Sequence, residues 1–167
     1  RSQLFELIHK DDELIFRMQT PHNGSTLVCD LPFRKVGLDT LEVMKSETKN
    51  EYFENGQLKS EKNYKDNKLD GQTTEWYRNG QNKYITNFKD GKRVGKWTWW
   101  HNNGQIGQEG NFNDGKAGGK WTWWYENGQK QEESNYKDGK LDGMSTGWKE
   151  NGQMDYERIY KDGNSVY

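Results

Sequence analysis

Residues 127–150 read NGQKQEESNYKDGKLDGMSTGWKE, and at residue 151 the chain says Asn-Gly-Gln again. The same tripeptide stands at 55–57, 79–81 and 103–105, always 24 residues from the next. A second turn signal keeps step: KDN at 65–67, KDG at 89–91, NDG at 113–115, and KDG at 137–139 and 161–163. Gly71, Gly95, Gly119 and Gly143 hold the same period. Five units without insertion or deletion make this a repeat array, and the period governs everything else. Asn-Gly and Asp-Gly favour tight hairpins, because both central positions of a type I′ turn need positive φ. Between the turns lie roughly six to nine residues rich in Thr, Trp, Tyr and Glu, lengths that suit strands. Each unit is therefore expected to be a two-stranded step. The array is expected to be all-β: an elongated single-layer antiparallel β-meander of five 24-residue two-stranded repeats.

Stepping by twelve from Tyr52 gives Tyr64, Trp76, Phe88, Trp100, Phe112, Trp124, Tyr136, Trp148 and Tyr160. One ring per strand at a fixed place is what a cross-strand ladder requires. These ten rings are expected to form a structural spine on one face of the sheet.

Composition narrows the alternatives. Of 167 residues, 29% are apolar and 31% charged, which alone would place the chain near the disordered class. Aromatic content of 14%, with only Pro21 and Pro32 as prolines, argues for a thin sheet covered by rings. Charge is balanced at −1, with 25 basic and 26 acidic residues interleaved, so the basic stripe of a nucleic-acid binder is missing. Cys29 is the only cysteine, which excludes an internal disulfide and a cysteine zinc cage, and it suggests no role of its own. No apolar run approaches the ~20 residues of a membrane span. The chain begins at Arg1 rather than methionine, so compartment is not readable from its start.

NYKDGKLDG at 135–143, the closely similar NYKDNKLDG at 63–71, and WYENGQ at 124–129 resemble the MORN repeat variant, the module of YwqK-like bacterial proteins. The resemblance covers about residues 49–167. It implies an open, twisted or curved antiparallel sheet and no enzymatic activity; such arrays act as scaffolds, dimerisation elements and interaction surfaces. Choline- or glucan-binding repeats share GKW and paired aromatics, but their period is nearer twenty and only Gly147-Trp148 matches their punctuation.

Residues 1–48 depart from the frame. LFELIHKDDELIFRMQT suggests a hairpin about Asp11-Asp12, and HNGSTLVCDL adds a turn and a short strand. Terminal units of arrays are often degenerate because they cap an open edge. The segment is read as a mostly β, degenerate N-terminal cap of the same sheet, with a short helix over 38–48 capped by Asp39.

No enzyme constellation is found. His9, His22 and His101 have no metal-ligand spacing, and His101 occupies a column shared with Phe53, Tyr77, Tyr125 and Lys149. Asp66, Asp90, Asp114, Asp138 and Asp162 read as turn formers rather than a cation ladder. Glu61, Glu109, Glu133 and Glu157, interrupted by Ile85, read as a solvated column beside lysines. No cofactor or metal is implied.

One surface stands out. KWTWWHNNGQ at 96–105 recurs as KWTWWYENGQ at 120–129. By strand alternation Trp97, Trp99, Trp121 and Trp123, with Tyr77, His101 and Tyr125, share the face opposite Trp100 and Trp124. Trp99 and Trp123 replace residues that the family keeps polar. The expected function is a non-catalytic interaction scaffold whose partner is a protein or a second copy. Glycan binding through the rings, and a YwqK-like antitoxin or immunity role, are the alternatives. A bacterial secreted, surface or periplasmic location is expected, with the cytoplasm as the alternative.

Overall fold

The structure, a computed structural model, describes residues 4–10, 13–22, 25–35, 41–43 and 45–166, with side chains from residue 45 onward. Two units emerge, Arg1–Ser46 and Glu47–Tyr167. In the first, β1 (Leu4–Lys10), β2 (Glu13–His22), β3 (Ser25–Lys35) and β4 (Leu41–Val43) form a four-stranded sheet in chain order. Its registers are antiparallel throughout, with Lys10 opposite Glu13 and His22 opposite Ser25.

The second unit is one open eleven-stranded sheet, again in chain order. Its strands are β5 (Ser46–Tyr52), β6 (Leu58–Lys65), β7 (Lys68–Trp76), β8 (Asn82–Lys89), β9 (Lys92–Trp100) and β10 (Ile106–Asn113). They continue with β11 (Lys116–Trp124), β12 (Lys130–Lys137), β13 (Lys140–Trp148), β14 (Met154–Lys161) and β15 (Asn164–Ser165). The all-β antiparallel meander with two strands per repeat is thus present.

Two expectations about the N-terminal segment are corrected. The strands before residue 46 make a sheet of their own rather than extending the repeat sheet. The helix over 38–48 does not form, because Leu41–Val43 is β4 and Ser46–Tyr52 is β5; its suggested cap, Asp39, lies outside the described residues. A helix this short is marginal without tertiary support. Strand β5 instead gains cross-strand partners: Thr48 Oγ1 donates to Asn63 Oδ1 at 2.7 Å, and Lys49 Nζ sits 4.7 Å over the Tyr64 ring.

The two turn signals build different turns. At the second, both central residues have positive φ, as at Asp90 (49°) and Gly91 (83°), which makes the expected type I′ hairpin. At Asn-Gly-Gln only the glycine is left-handed, for example Gly104 at 86°. There the loop has three residues: Gly104 N bonds His101 O, His101 N bonds Gln105 O, and Gln105 N bonds Asn103 Oδ1. The Asn-Gly-Gln loop corrects the type I′ expectation, because the asparagine serves as a side-chain acceptor and not as a left-handed residue.

Gly71, Gly95, Gly119 and Gly143 are not at turns. Each has positive φ within a bulge; along β10 the partner jumps from Thr122 opposite Glu109 to Gly118 opposite Asn111. In two hairpins an asparagine fills the disrupted ladder, with Asn63 Nδ2 donating to Gln72 O and Asn135 Nδ2 to Met144 O.

Successive turns are stitched to one another along both edges. Asn79, Asn103 and Asn127 donate their side-chain amides to the carbonyls of Asn102, Glu126 and Glu150, each 23 residues on. At the other edge the amides of Gly91, Gly115, Gly139 and Gly163 bond the carbonyls of Leu69, Arg93, Ala117 and Leu141 at 2.7–2.8 Å. At about 0.5–1.5 kcal/mol each, these bonds tie neighbouring units without a thick core.

Candidate functional site

Ladder register assigns side chains to faces, because residues directly opposite one another share a face. Trp97 lies opposite Gly110, Trp121 opposite Ser134, and Trp99 and Trp123 flank Gln108 from either side. All four tryptophans therefore stand on one face. The opposite face carries an alternating row: Glu61, Thr74, Ile85, Thr98, Glu109, Thr122, Glu133, Thr146 and Glu157. There Lys96 pairs with Glu109, and Lys120 and Lys130 pair with Glu133 at 2.7 and 2.8 Å. Those two ammonium groups hold the Glu133 carboxyl below its ordinary range. The exposed lysine ends keep such pairs weak, which suits a solvated charged row.

The ten-ring spine is corrected by the same register. Trp100 faces Ile106, but the extra residue Gly107 then advances the ladder so that Trp99 faces Gln108. A one-residue shift moves the rest of β10 to the other face. Phe112 accordingly meets Trp97 and Trp121, not Trp100. Corresponding shifts follow Trp76, Trp124 and Trp148. The tryptophans ending β7, β9, β11 and β13 therefore occupy one face, and the rings of β8, β10, β12 and β14 the other.

The face bearing Trp97 holds a continuous ring cluster. Tyr84 stacks on Trp97 with centroids 5.1 Å apart and planes at 24°. Phe112 stands edge-on between Trp97 and Trp121, at 6.3 and 5.0 Å. Trp121 meets Trp123 and Tyr136, both at 6.1 Å. The Arg93 guanidinium lies 5.1 Å from the Trp97 ring and 5.4 Å from Phe112, a cation over two electron-rich faces. Each aromatic pair contributes about 0.5–1.5 kcal/mol beyond its buried area. Tyr84 also donates to Glu75 at 2.7 Å; burial, then the carboxylate, pushes its phenol far above the ordinary value.

Glycines make room for the rings. A Cβ at Gly110 would fall inside the Trp121 indole, and one at Gly107 inside Trp99. Trp121 is left only 4% exposed, while Trp97, Trp99 and Trp123 are half-buried. The indole N–H groups of Trp97 and Trp121 are buried without a protein acceptor among the described residues.

The other three sequence candidates have a structural duty. Tyr77 Oη donates to Trp100 O at 2.7 Å and Tyr125 Oη to Trp148 O at 2.8 Å. His101 Nε2 makes the same contact with Trp124 O at 2.8 Å. A carbonyl only accepts, so Nε2 carries a proton there. His101 is thus a tyrosine surrogate in an inter-repeat column, and its ring touches Trp99 edge-on at 4.8 Å. All seven candidates therefore lie near one another, in a packed cluster and an adjoining hydrogen-bonded column.

Sequence reasoning missed Tyr84, Arg93, Phe112 and Tyr136 as neighbours of the tryptophans. A signal was available: Gly107 and Gly110 interrupt their own repeat columns beside the extra rings. The acidic turn row has φ of 48–51° at all five aspartates, a conformation that serves the turn. Among the described residues no group of three metal-capable side chains occurs, and no helix is long and apolar enough to cross a membrane.

An open meander, with turns stitched by backbone and asparagine bonds and a continuous ring cluster on one face, defines an interaction-type repeat module. The chain belongs to the family of the MORN repeat variant, matched at residues 49–66, 69–90, 93–114 and 117–138. That family consists of non-enzymatic interaction repeats. No curated protein matches the chain.

Proposed function

We propose that this chain is a non-catalytic scaffold that binds a protein through the ring face of its third and fourth repeats. The observation that carries the proposal is the pair Trp99 and Trp123. Both occupy a column that holds Glu51 and Glu75 in the first two units, yet both remain partly exposed. Large half-buried rings supported by a rigid sheet resemble interface hot spots. Arg93 at the cluster's margin adds a second residue type enriched there. Glycan stacking fits less well, since Tyr84 already covers Trp97 and Trp121 is closed off. An antitoxin or immunity role has no structural feature of its own. The proposed location is a secreted or surface one, which fractionation with an antibody against the native protein would test against the cytoplasm.

The test is Trp99→Glu with Trp123→Glu. Glutamate is a residue the frame already accepts in that column, so circular dichroism should stay close to the parent's, with a melting temperature lowered by the lost ring contacts of Trp99 and Trp123. Self-association, read by analytical ultracentrifugation, or retention of a partner purified from the native source, should be lost. Unchanged association would refute the proposal, as would an unfolded double variant, which would make these rings core.

A further inference from the structure

A second site lies away from the ring cluster, at the Asn-Gly-Gln edge between the first two repeats. There Phe53 and Tyr77, with the end of β7 at Trp76, border a shallow cleft of about 180 Å³, joined by Lys59, Arg78, Lys83 and Glu75. The volume is below the ~300–1,000 Å³ of ordinary small-molecule pockets, so it suits one side chain rather than a cofactor. Three cations face one carboxylate, and that carboxylate is engaged: Glu75 accepts from Tyr84 at 2.7 Å and lies 3.4 Å from Lys83. Lys59 is held only loosely, 3.7 Å from Glu51. Arg78 has no carboxylate partner among the described residues and rests 5.5 Å over the Phe53 ring.

The repeat supplies an internal control. Where Arg78 stands, the other units have Glu54, Asn102, Glu126 and Glu150. Where Lys59 and Lys83 stand, the later units have Gly107, Gln131 and Asp155. The three cations therefore converge only here and are not imposed by the frame.

We infer that this cleft receives an acidic side chain of an extended peptide, its carboxylate on Arg78, Lys83 and Lys59 and its methylene stem on Phe53 and Tyr77. A planar guanidinium resting on a ring is pre-organised for a carboxylate fork. The aromatic walls take an aliphatic stem, which a free anion lacks. The inference rests on the array being protein-binding, but its test needs no native partner.

Hexaglutamate peptide titrated into the whole chain by calorimetry should bind, more weakly as salt rises. Arg78→Glu with Lys83→Gln should weaken binding about tenfold or more, and the milder Arg78→Ala by less, with circular dichroism unchanged. Lys116→Glu on the opposite edge should bind as the parent does. Several results overturn the inference: no binding by the parent, equal binding by the cleft variants, or equal binding of hexalysine. Equally decisive would be inorganic phosphate binding as tightly as the peptide, which marks a free-anion site. Anionic phospholipid vesicles binding through Arg78 while the peptide does not would mark a lipid surface instead.

Discussion

Gly110 lies beneath Trp121, and a methyl group there would occupy the space of the indole. Gly118, eight residues further on, has nothing within 4 Å of where its Cβ would stand, and its φ is not left-handed. These two glycines separate packing from backbone freedom. Gly110→Ala should cost about 1–3 kcal/mol through overpacking. Gly118→Ala should be neutral or stabilise by about 0.4–1 kcal/mol, by restricting the unfolded chain. Denaturant unfolding of the two variants compares them directly, and equal costs would discredit the ring-over-glycine account. The sequence made Trp99 and Trp123 visible as departures from a column. It did not show what each ring lies upon, because that depends on side-chain direction across the ladder. His101 is similar: its column was legible, but its donation to Trp124 O requires knowing which carbonyl the next unit presents.

At the scale of a hairpin, the type I′ turns reward glycine at their second central position. Asn67 is the exception, with φ of 63° where Gly91, Gly115, Gly139 and Gly163 stand in later units. Asn67→Gly should raise stability by a few tenths to about 1 kcal/mol, seen as a higher melting temperature; a lower one would contradict it. These turns were legible because Asp-Gly has a narrow backbone repertoire. The Asn-Gly-Gln loops were half legible. The same dipeptide serves a three-residue loop when its asparagine bonds the amide of the following glutamine, as Asn103 does with Gln105. The twelve-residue ring period was real, yet it concealed a change of face. The bulge residue after each loop is Lys83, Gly107, Gln131 or Asp155, types with no common chemistry, so sequence could not reveal the shift. The segment 38–48 misled for a related reason. Its local pattern allowed a helix, and the neighbouring strand offered hydrogen bonds that local pattern does not count.

For the repeat sheet as a whole, stability should be close to a sum over units and their interfaces. Removing residues 103–126 joins Asn102 to Asn127 and restores an Asn-Gly-Gln loop with both stitched edges in phase. That 24-residue deletion should remain folded, with the β-rich circular dichroism of the parent, a lower melting point and a ring cluster reduced to one tryptophan pair. Removing only 103–114 takes out one strand and brings the two turn types to the wrong edges, so it should misfold or aggregate. Size-exclusion chromatography of both deletions distinguishes them; two well-folded products would show that the edge bonds do not set the frame. Architecture at this scale was the most legible of all, since five identically spaced units leave few alternatives. The separate sheet before residue 46 was not, since that segment lacks the turn glycines by which the array announces itself.

The stitched turns also govern how the sheet yields to force. Tension applied at Glu47 and Val166 acts across the strands, so the ladder is peeled one row at a time instead of sheared all at once. Each released strand frees one turn from its column and lengthens the chain by about 40 Å, the extended span of twelve residues. The array would therefore pay out slack in small, nearly equal increments, behaving as a compliant tether rather than a rigid strut.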